Sequence, residues 1–478
     1  MAVDYDLVVI GSSWVGIYAA SKAAQLQARV ALVTQGNNLL LPNDSLMTRI
    51  LSEVGQGNCL PRQNSFAGAS ETITLYLAQE RIRRTKAIAQ SLADLAALGV
   101  DVIADRGEFC PMPKLTFQTA QRKLRSRKFL LATGTKVVPE FAHQDSQDYL
   151  TPKQLWQTDL SSLDQEIVVV GGNPTALELA QALARLGKSI TLITAQPRIL
   201  PQEDLELVLL LQAHLEAAEI KIYTDAPISQ IKTIEGQKWL QAGDRALAAA
   251  EIIIVDGQQP NIAGLNLAGV GVTYDKSKVQ VNSRLQTSNS NIYACGAVIG
   301  GYNLPTIARY EANVILKNTL FLPWYKANYH ALPWKIATQP NFARVGLTKQ
   351  QAQQQYGDEL YIVKEYFADL ERGQISNSTT GMCKLLIRSN GEIVGCSLIG
   401  DRAEELITSV SLMMQHQIKL ESNPMRGLTS LSLPTTYLSS SEIWLRVWDN
   451  FYQQKLQRNP QLSSRLRDWF AWLKERQR

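Results

Sequence analysis

Two short segments of this chain run from an apolar stretch through a glycine-bearing turn into a helix-forming stretch, a pattern suited to holding the phosphates of a dinucleotide. The first is Asp6-Leu-Val-Val-Ile-Gly-Ser-Ser-Trp-Val-Gly16, and the second is Glu166-Ile-Val-Val-Val-Gly-Gly-Asn-Pro-Thr-Ala176. Gly11 permits the tight turn, Gly16 lets helix and strand pack closely, and the helix N-terminus offers free amides to a pyrophosphate. Ser13 stands where a second glycine would be and restricts the approach of the phosphates. In the second segment Gly171 keeps the turn while Asn173 and Ala176 replace glycines. Alanine at the last place is acceptable; asparagine at the middle one crowds a pyrophosphate. The acid that normally binds a ribose 2′-hydroxyl at the end of the second strand is Thr34 in the first unit and Thr194 in the second. Loss of the acid at Thr194 suits a 2′-phosphate with Arg198 nearby, but Arg198 equally fits a surface turn before Pro201.

These segments sit in a chain of 478 residues, a length that corresponds to roughly three domains. Hydrophobic content of 45% and charged content of 19% suit a soluble globular protein. No apolar run approaches the about 18 residues needed to cross a membrane, and the N-terminus enters a strand without the pattern of a secretion signal. The five cysteines (59, 110, 295, 383 and 396) form no CxxC or CxxxxC pair, which argues against a disulfide framework or zinc site. The four histidines (143, 214, 330 and 416) lack metal-ligand spacing. The expected setting is cytoplasmic, with no metal. Net charge is +5, and residues 445–478, with eight Lys/Arg and three Asp/Glu, carry all of it. An electrostatic partner would therefore meet the tail rather than the body.

The elements needed to position the two turns follow from pattern. Residues 7–10 and 29–33 read as strands around a helix at 15–27, and residues 70–98 as a long helix ending at Gly99. Residues 128–135 form a strand running into a small-residue turn. The second unit repeats the theme, with strands at 167–170 and 189–193 around a helix at 176–186 stopped by Gly187. Beyond about residue 331 the pattern becomes α+β, with strands at 385–387 and 393–399 and a helix at 404–414.

At this point the chain resembles the flavoprotein disulfide reductases, the family of dihydrolipoamide dehydrogenase, glutathione and mercuric reductases and soluble transhydrogenase. The likeness spans residues 4–440 and rests on five segments in the family's order. Beyond the first turn, Ala132-Thr133-Gly134 with Pro139 resembles the family's ATG turn, and residues 171–180 its nucleotide fingerprint. Residues 255–261 and 282–297 resemble the run into the second flavin motif, and residues 338–348 the opening of the dimerisation domain. The resemblance implies an α/β fold of two Rossmann-like domains and a C-terminal α+β dimerisation domain. Residues 1–150 with 285–330 would form the FAD-binding part, 151–284 the NAD(P)-binding part, 331–455 the interface domain of a homodimer, and 456–478 a basic tail.

The departures from the family are systematic. Its CxxxxC disulfide falls, without gaps, on Pro42 and Met47. Its HPTxxE acid–base pair falls on Leu433 and Leu438. Dithiol chemistry needs a thiolate and a base, so disulfide reduction by the family's mechanism is not expected. The Gly-Asp of the second flavin motif is Gly296-Ala297. Gly11, Gly16, Thr133, Gly134 and Gly296 still favour FAD; NAD(P) binding stays open. Glu178 aligns with a glutamate near the flavin's reactive edge, whose lysine partner falls on Leu51, or on Arg49 with a two-residue gap. Glu178 would either position a nicotinamide or be a helix-surface carboxylate paired with a base. Cys295, Cys383 and Cys396 read as core residues, Cys59 as a long shot for an exposed thiol, and His416 as solvated or capping.

The tail lies outside the family pattern. Ser463 or Ser464 would cap a helix on which Leu466, Trp469, Phe470 and Leu473 share one face, ringed by Arg465, Arg467, Lys474, Arg476 and Arg478. Such a helix folds back on its own domain or the other subunit, docks on a partner protein, or lies on an anionic membrane surface; nucleic acid is not expected. Two functions remain open. One is an FAD-dependent NAD(P)H oxidoreductase without a disulfide relay, serving a small-molecule electron acceptor. The other is a non-catalytic relative acting as a binding, regulatory or assembly module through its tail.

Overall fold

The computed structural model describes residues 3–36, 44–55, 92–139, 148–158, 160, 163–420 and 435–476. They fall into two compact units, Met1–Pro201 with Leu215–Asn328, and Gln202–His214 with Tyr329–Arg478.

The first unit contains two parallel sheets. In one, Tyr5–Ile10 lies between Val30–Val33 and Ser126–Leu131, with Asp101–Ile103 and Ile292–Ala294 outermost. Leu7, Val8, Val9 and Ile10 are all fully buried, because crossover connections cover both faces of a parallel sheet and leave no side for polar residues. In the other, Glu166–Val170 lies between Ser189–Ile193 and Glu251–Ile254, with Lys221–Tyr223 at an edge. Each sheet sends its central strand directly into a helix, Trp14–Gln25 in the first and Pro174–Arg185 in the second. Both helices start slightly earlier than their apolar pattern suggests, because Ser13 and Asn173 serve as N-caps. Of the long helix expected over 70–98, only Leu92–Ala97 lies among the described residues. Gly99 follows it with φ +85°, as a stop in the left-handed region requires.

The second unit is built on an antiparallel sheet in which Ile393–Gly400 lies between Asn341–Gly346 and Gly381–Arg388. Helices Ala403–Gln415 and Ile443–Arg458 contribute to one apolar core through Leu406, Val410, Trp444, Val447, Trp448 and Phe451. Cys383 and Cys396 are wholly buried in that core, as expected of packing residues, and burial pushes the Cys383 thiol well above its ordinary range. His416 is the exposed C-cap of its helix. The tail helix differs from expectation at its start. It runs over Pro460–Arg476, so Ser463 and Ser464 lie inside it and neither is the cap. Proline suits a first helical position, where its missing N–H has no intrahelical partner to lose. The Ser463 hydroxyl donates instead to the Leu456 carbonyl, 3.1 Å away.

One charged cluster is buried in this unit. Lys384 is 1% exposed and contacts Asp204 and, at 2.9 Å, Glu206. Lys364 reaches Glu206 from a neighbouring strand at 2.7 Å. Partial burial alone would raise the Glu206 carboxyl, but hydrogen bonds from Lys364 and Lys384 outweigh it and lower the carboxyl to about 2. The folded value lies below the ordinary one of 4.5, so the stability Glu206 adds is complete above that pH and is lost as pH falls through about 2. Lys384→Ala strands a buried carboxylate and should cost about 3–5 kcal/mol, read as a shift in the chemical denaturation midpoint. Glu206→Gln should flatten the acid limb of the stability profile below pH 4.5.

Candidate nucleotide sites

The two turns are built alike. The Gly11 amide donates to the Val33 carbonyl at 2.8 Å, and the Gly171 amide to the Ile193 carbonyl at 2.8 Å. The Ser13 hydroxyl accepts from the Gly16 amide at 3.4 Å, and the Asn173 side-chain oxygen from the Ala176 amide at 3.1 Å. On the other flank of each central strand, a neighbouring strand ends beside the turn. In the first sheet that end is Ala132-Thr133-Gly134, and in the second it is Val255-Asp256-Gly257. The correspondence is close: Ala132 N–H donates to Ile10 and Val255 N–H to Val170, while Gly134 and Gly257 have φ of +67° and +76°.

The first turn fits a dinucleotide phosphate. Gly11 has φ +107°, and a Cβ there would lie 2.5 Å from the Ala132 carbonyl oxygen. A Cβ on Gly16 would lie 2.4 Å from the Gly11 carbonyl oxygen. Both contacts are with backbone, so only glycine allows strand, turn and helix to close up. Ser13 does not stand free in front of the turn, because its hydroxyl donates to the Ala132 carbonyl. The Thr133 hydroxyl is buried and has no hydrogen-bond partner among the described residues, a condition that proteins rarely leave unmet. Thr34 is buried, with its amide bonded to the Ile103 carbonyl. Gly296, with φ +73°, opens a short 3-10 turn that carries Ala297. Its amide donates to the buried Glu311 carboxylate at 2.7 Å. Glu311 carries no motif, and only the fold reveals it. Burial first, then the Glu311 charge, pushes the Cys295 thiol well above its ordinary range, so this cysteine is a packing residue.

The second turn does not fit a dinucleotide as it stands. Asp256 turns its carboxylate into it, accepting from the Gly172 amide at 3.3 Å and from the Asn173 side-chain nitrogen at 2.7 Å. Thr194 is buried, and its hydroxyl accepts from the Gln196 amide at 3.2 Å. Arg198 serves its own turn, donating to the Pro201 carbonyl at 2.6 Å. That agrees with the plainer of the two readings of this arginine.

Glu178 is not a surface residue. It is 4% exposed on the Pro174–Arg185 helix and accepts a hydrogen bond from the Thr48 hydroxyl at 3.0 Å. Thr48 lies on the helix Asp44–Gly55, which packs along Pro174–Arg185 and also brings Ser52 to Arg185. The expected base is not at the candidate positions. Leu51 is buried, and Arg49 pairs with Glu53 on its own helix at 2.5 Å. Met47, at a place where the resemblance puts a redox cysteine, is wholly buried. Pro42, Cys59 and Leu433 lie outside the described residues, and Leu438 lies in a turn with φ +55°.

Comparison with known proteins agrees with this architecture. Residues 5–312 match the family model described as pyridine nucleotide-disulphide oxidoreductase, and residues 332–427 its dimerisation domain. A mercuric reductase of Staphylococcus aureus is 28% identical over 436 residues, covering 87% of this chain and 78% of that protein. A dihydrolipoyl dehydrogenase of Bacillus subtilis is 27% identical over 432 residues, covering 86% and 92%. The solved Cu(II) complex of the HOCl-induced flavoprotein disulfide reductase RclA from Escherichia coli superposes with a TM-score of 0.76 at 22% identity, covering 94% of this chain and 99% of that one. At that identity it supports the fold alone.

Gly16→Ala places a methyl 2.4 Å from a backbone oxygen. The variant should lose about 1–3 kcal/mol of stability together with bound FAD, measured by thermal melting and by flavin content after purification in FAD.

Proposed function

We propose, for a chain that belongs to the pyridine nucleotide-disulphide oxidoreductase family, an FAD-dependent oxidoreductase that passes electrons from NAD(P)H to a small acceptor other than a disulfide. The family is one of FAD-binding flavoproteins that use NAD(P)H. The observation that carries the reading is the unpaired, buried Thr133 hydroxyl beside an intact first turn, a polar group that a bound flavin dinucleotide would satisfy. FAD would be held by the Gly11–Gly16 turn, Thr133, Gly134 and the turn at Gly296-Ala297. When bound, it supplies two-electron acceptance from a nicotinamide and electron donation to a second substrate.

The departure from the family's chemistry rests on what stands on the Asp44–Gly55 helix. Met47 is packed away, and Thr48 contacts Glu178. That bond ties the buried Glu178 carboxylate to the Asp44–Gly55 helix. The domain assignment we adopt gives residues 1–150 and 285–330 to the flavin, 151–284 to the nucleotide and 331–455 to a homodimer interface. A second reading, a relative that keeps the fold without turnover, is favoured by Asp256 in the second turn.

The tail supports a peripheral role at an anionic membrane surface. Trp469, Phe470, Trp472 and Leu473 are 51%, 59%, 41% and 36% exposed, and the two tryptophan rings stack at 5.0 Å. At helical spacing Arg465 and Arg476 fall between Trp469 and Trp472, and Arg467 and Lys474 lie beyond Phe470. The acids Asp468 and Glu475 fall on the far side of Trp472. Cations among the exposed aromatics suit an anionic lipid interface.

A yellow protein whose flavin spectrum bleaches with NADH or NADPH without oxygen, and does so after thiol alkylation, is the expected result. No flavin after incubation with FAD would sink the oxidoreductase reading. For the tail, the full chain should co-sediment with phosphatidylglycerol vesicles and not with phosphatidylcholine, and a Trp469→Ser, Phe470→Ser double variant should stay in solution. Equal sedimentation of parent and variant would count against the lipid surface and leave a protein partner as the alternative.

A further inference from the structure

Asp256 occupies the place in the second sheet that Thr133 occupies in the first. Both follow a strand that pairs in parallel with the central one, and both precede a glycine of positive φ. At the first turn this place carries an uncharged hydroxyl with no partner among the described residues. At the second it carries a carboxylate bound to the turn itself, through the Gly172 amide at 3.3 Å and the Asn173 side chain at 2.7 Å. A Cβ on Gly171 would meet the same carboxylate, 3.1 Å from its nearer oxygen. Asn173 completes the arrangement, since its oxygen caps the helix at the Ala176 amide while its nitrogen holds Asp256. One asparagine therefore ties the carboxylate to the helix N-terminus.

We infer that Asp256 is a resident anion that closes the second nucleotide turn, so that NAD(P)H binds there only by displacing it. A helix N-terminus favours negative charge, and the turn leading into this one already has a carboxylate within hydrogen-bonding distance of its Gly172 amide. A pyrophosphate brought to the same amides would meet the carboxylate as a like charge, which specificity by repulsion exploits. Asp256 thus sets the affinity of the site and makes its open state the minor one. Burial pushes the Asp256 carboxyl up, against the lowering effect of the Gly172 and Asn173 hydrogen bonds. The inference rests on reading the second turn as the nicotinamide nucleotide site, and its test does not require turnover or bound FAD.

The test is direct binding of NADH and NADPH to the full chain, by calorimetry, for the parent, Asp256→Thr and Asp256→Asn. Threonine copies the residue at the corresponding place in the first turn, and asparagine keeps the shape while removing the charge. Both variants should bind at least one nucleotide about tenfold more tightly than the parent, the scale of a typical coupling between two states. Weaker binding in the variants would mean that the carboxylate holds the nucleotide, through a ribose hydroxyl for instance, and would overturn the inference. Unchanged binding, or none in any of the three proteins, would overturn it as well. Thermal melting of each variant separates a misfolded protein from one that is folded and does not bind, and the asparagine variant stands alone if threonine is not tolerated. Absence of flavin with tighter nucleotide binding in the variants would uphold the inference while removing the oxidoreductase reading.

Discussion

The architecture of the first unit depends on one strand–turn–helix arrangement made twice. A central strand ends in a glycine turn, a helix leaves that turn at once, and the end of a flanking strand presses against the turn from the side. At Gly11 the pressing atom is the Ala132 carbonyl oxygen, at a distance that admits no side chain. The parallel sheets, with both faces buried, supply the rigidity that keeps the strand ends in place. What varies between the two copies is the residue that follows the pressing strand end. A hydroxyl there leaves the helix N-terminus available; a carboxylate there fills it. The chemistry of each turn is decided less by the glycines that shape it than by one side chain delivered from a neighbouring strand.

The seam between helices Asp44–Gly55 and Pro174–Arg185 combines apolar packing with side-chain hydrogen bonds. Met47, Leu51 and Val54 are buried on the first of these helices, and the polar contacts across the seam include Thr48 with Glu178 and Ser52 with Arg185. These are structural interactions. A hydroxyl donor on a buried carboxylate stabilises the charged form, so the seam holds Glu178 in place without offering a nucleophile. The helix that carries reactive residues in the resemblance has here become a packing surface.

Much of this was legible in the sequence, and what was not has a common cause. Gly11, Gly16 and Gly171 announce themselves because a tight turn admits few residue types, and the strands around them because both faces are buried. The departures from the family pattern at Pro42, Met47, Leu433 and Leu438 are read from the sequence by alignment alone. Asp256 was not visible, although it lay in a segment already singled out. Its partners Gly172 and Asn173 are some eighty residues away, and no local pattern says that a carboxylate after an apolar strand will turn inward. The same holds for Glu311 at the Gly296 amide and Thr48 on Glu178. Of the two readings of Glu178, the surface one follows from what a helical carboxylate usually is, and the packing of a second helix over it removes that reading. The tail's cap was misplaced for a local reason: two serines resembled an N-cap, but Pro460 begins the helix one turn earlier.

The buried cluster of Lys384, Asp204 and Glu206 in the second unit makes the contrast with Asp256 instructive. There, two carboxylates meet two ammonium groups, and Glu206 is driven towards its charged form by hydrogen bonds that outweigh burial. At Asp256 the balance runs the other way: burial dominates, and the partners are an amide and an asparagine. A carboxylate whose partners are neutral donors lacks the opposite charge that a lysine supplies, and an opposite charge nearby favours the ionised form. The first arrangement suits a permanent tie between chain segments. The second suits a group that can be exchanged for a better anion, and a dinucleotide pyrophosphate is the anion for which the surrounding turn is shaped.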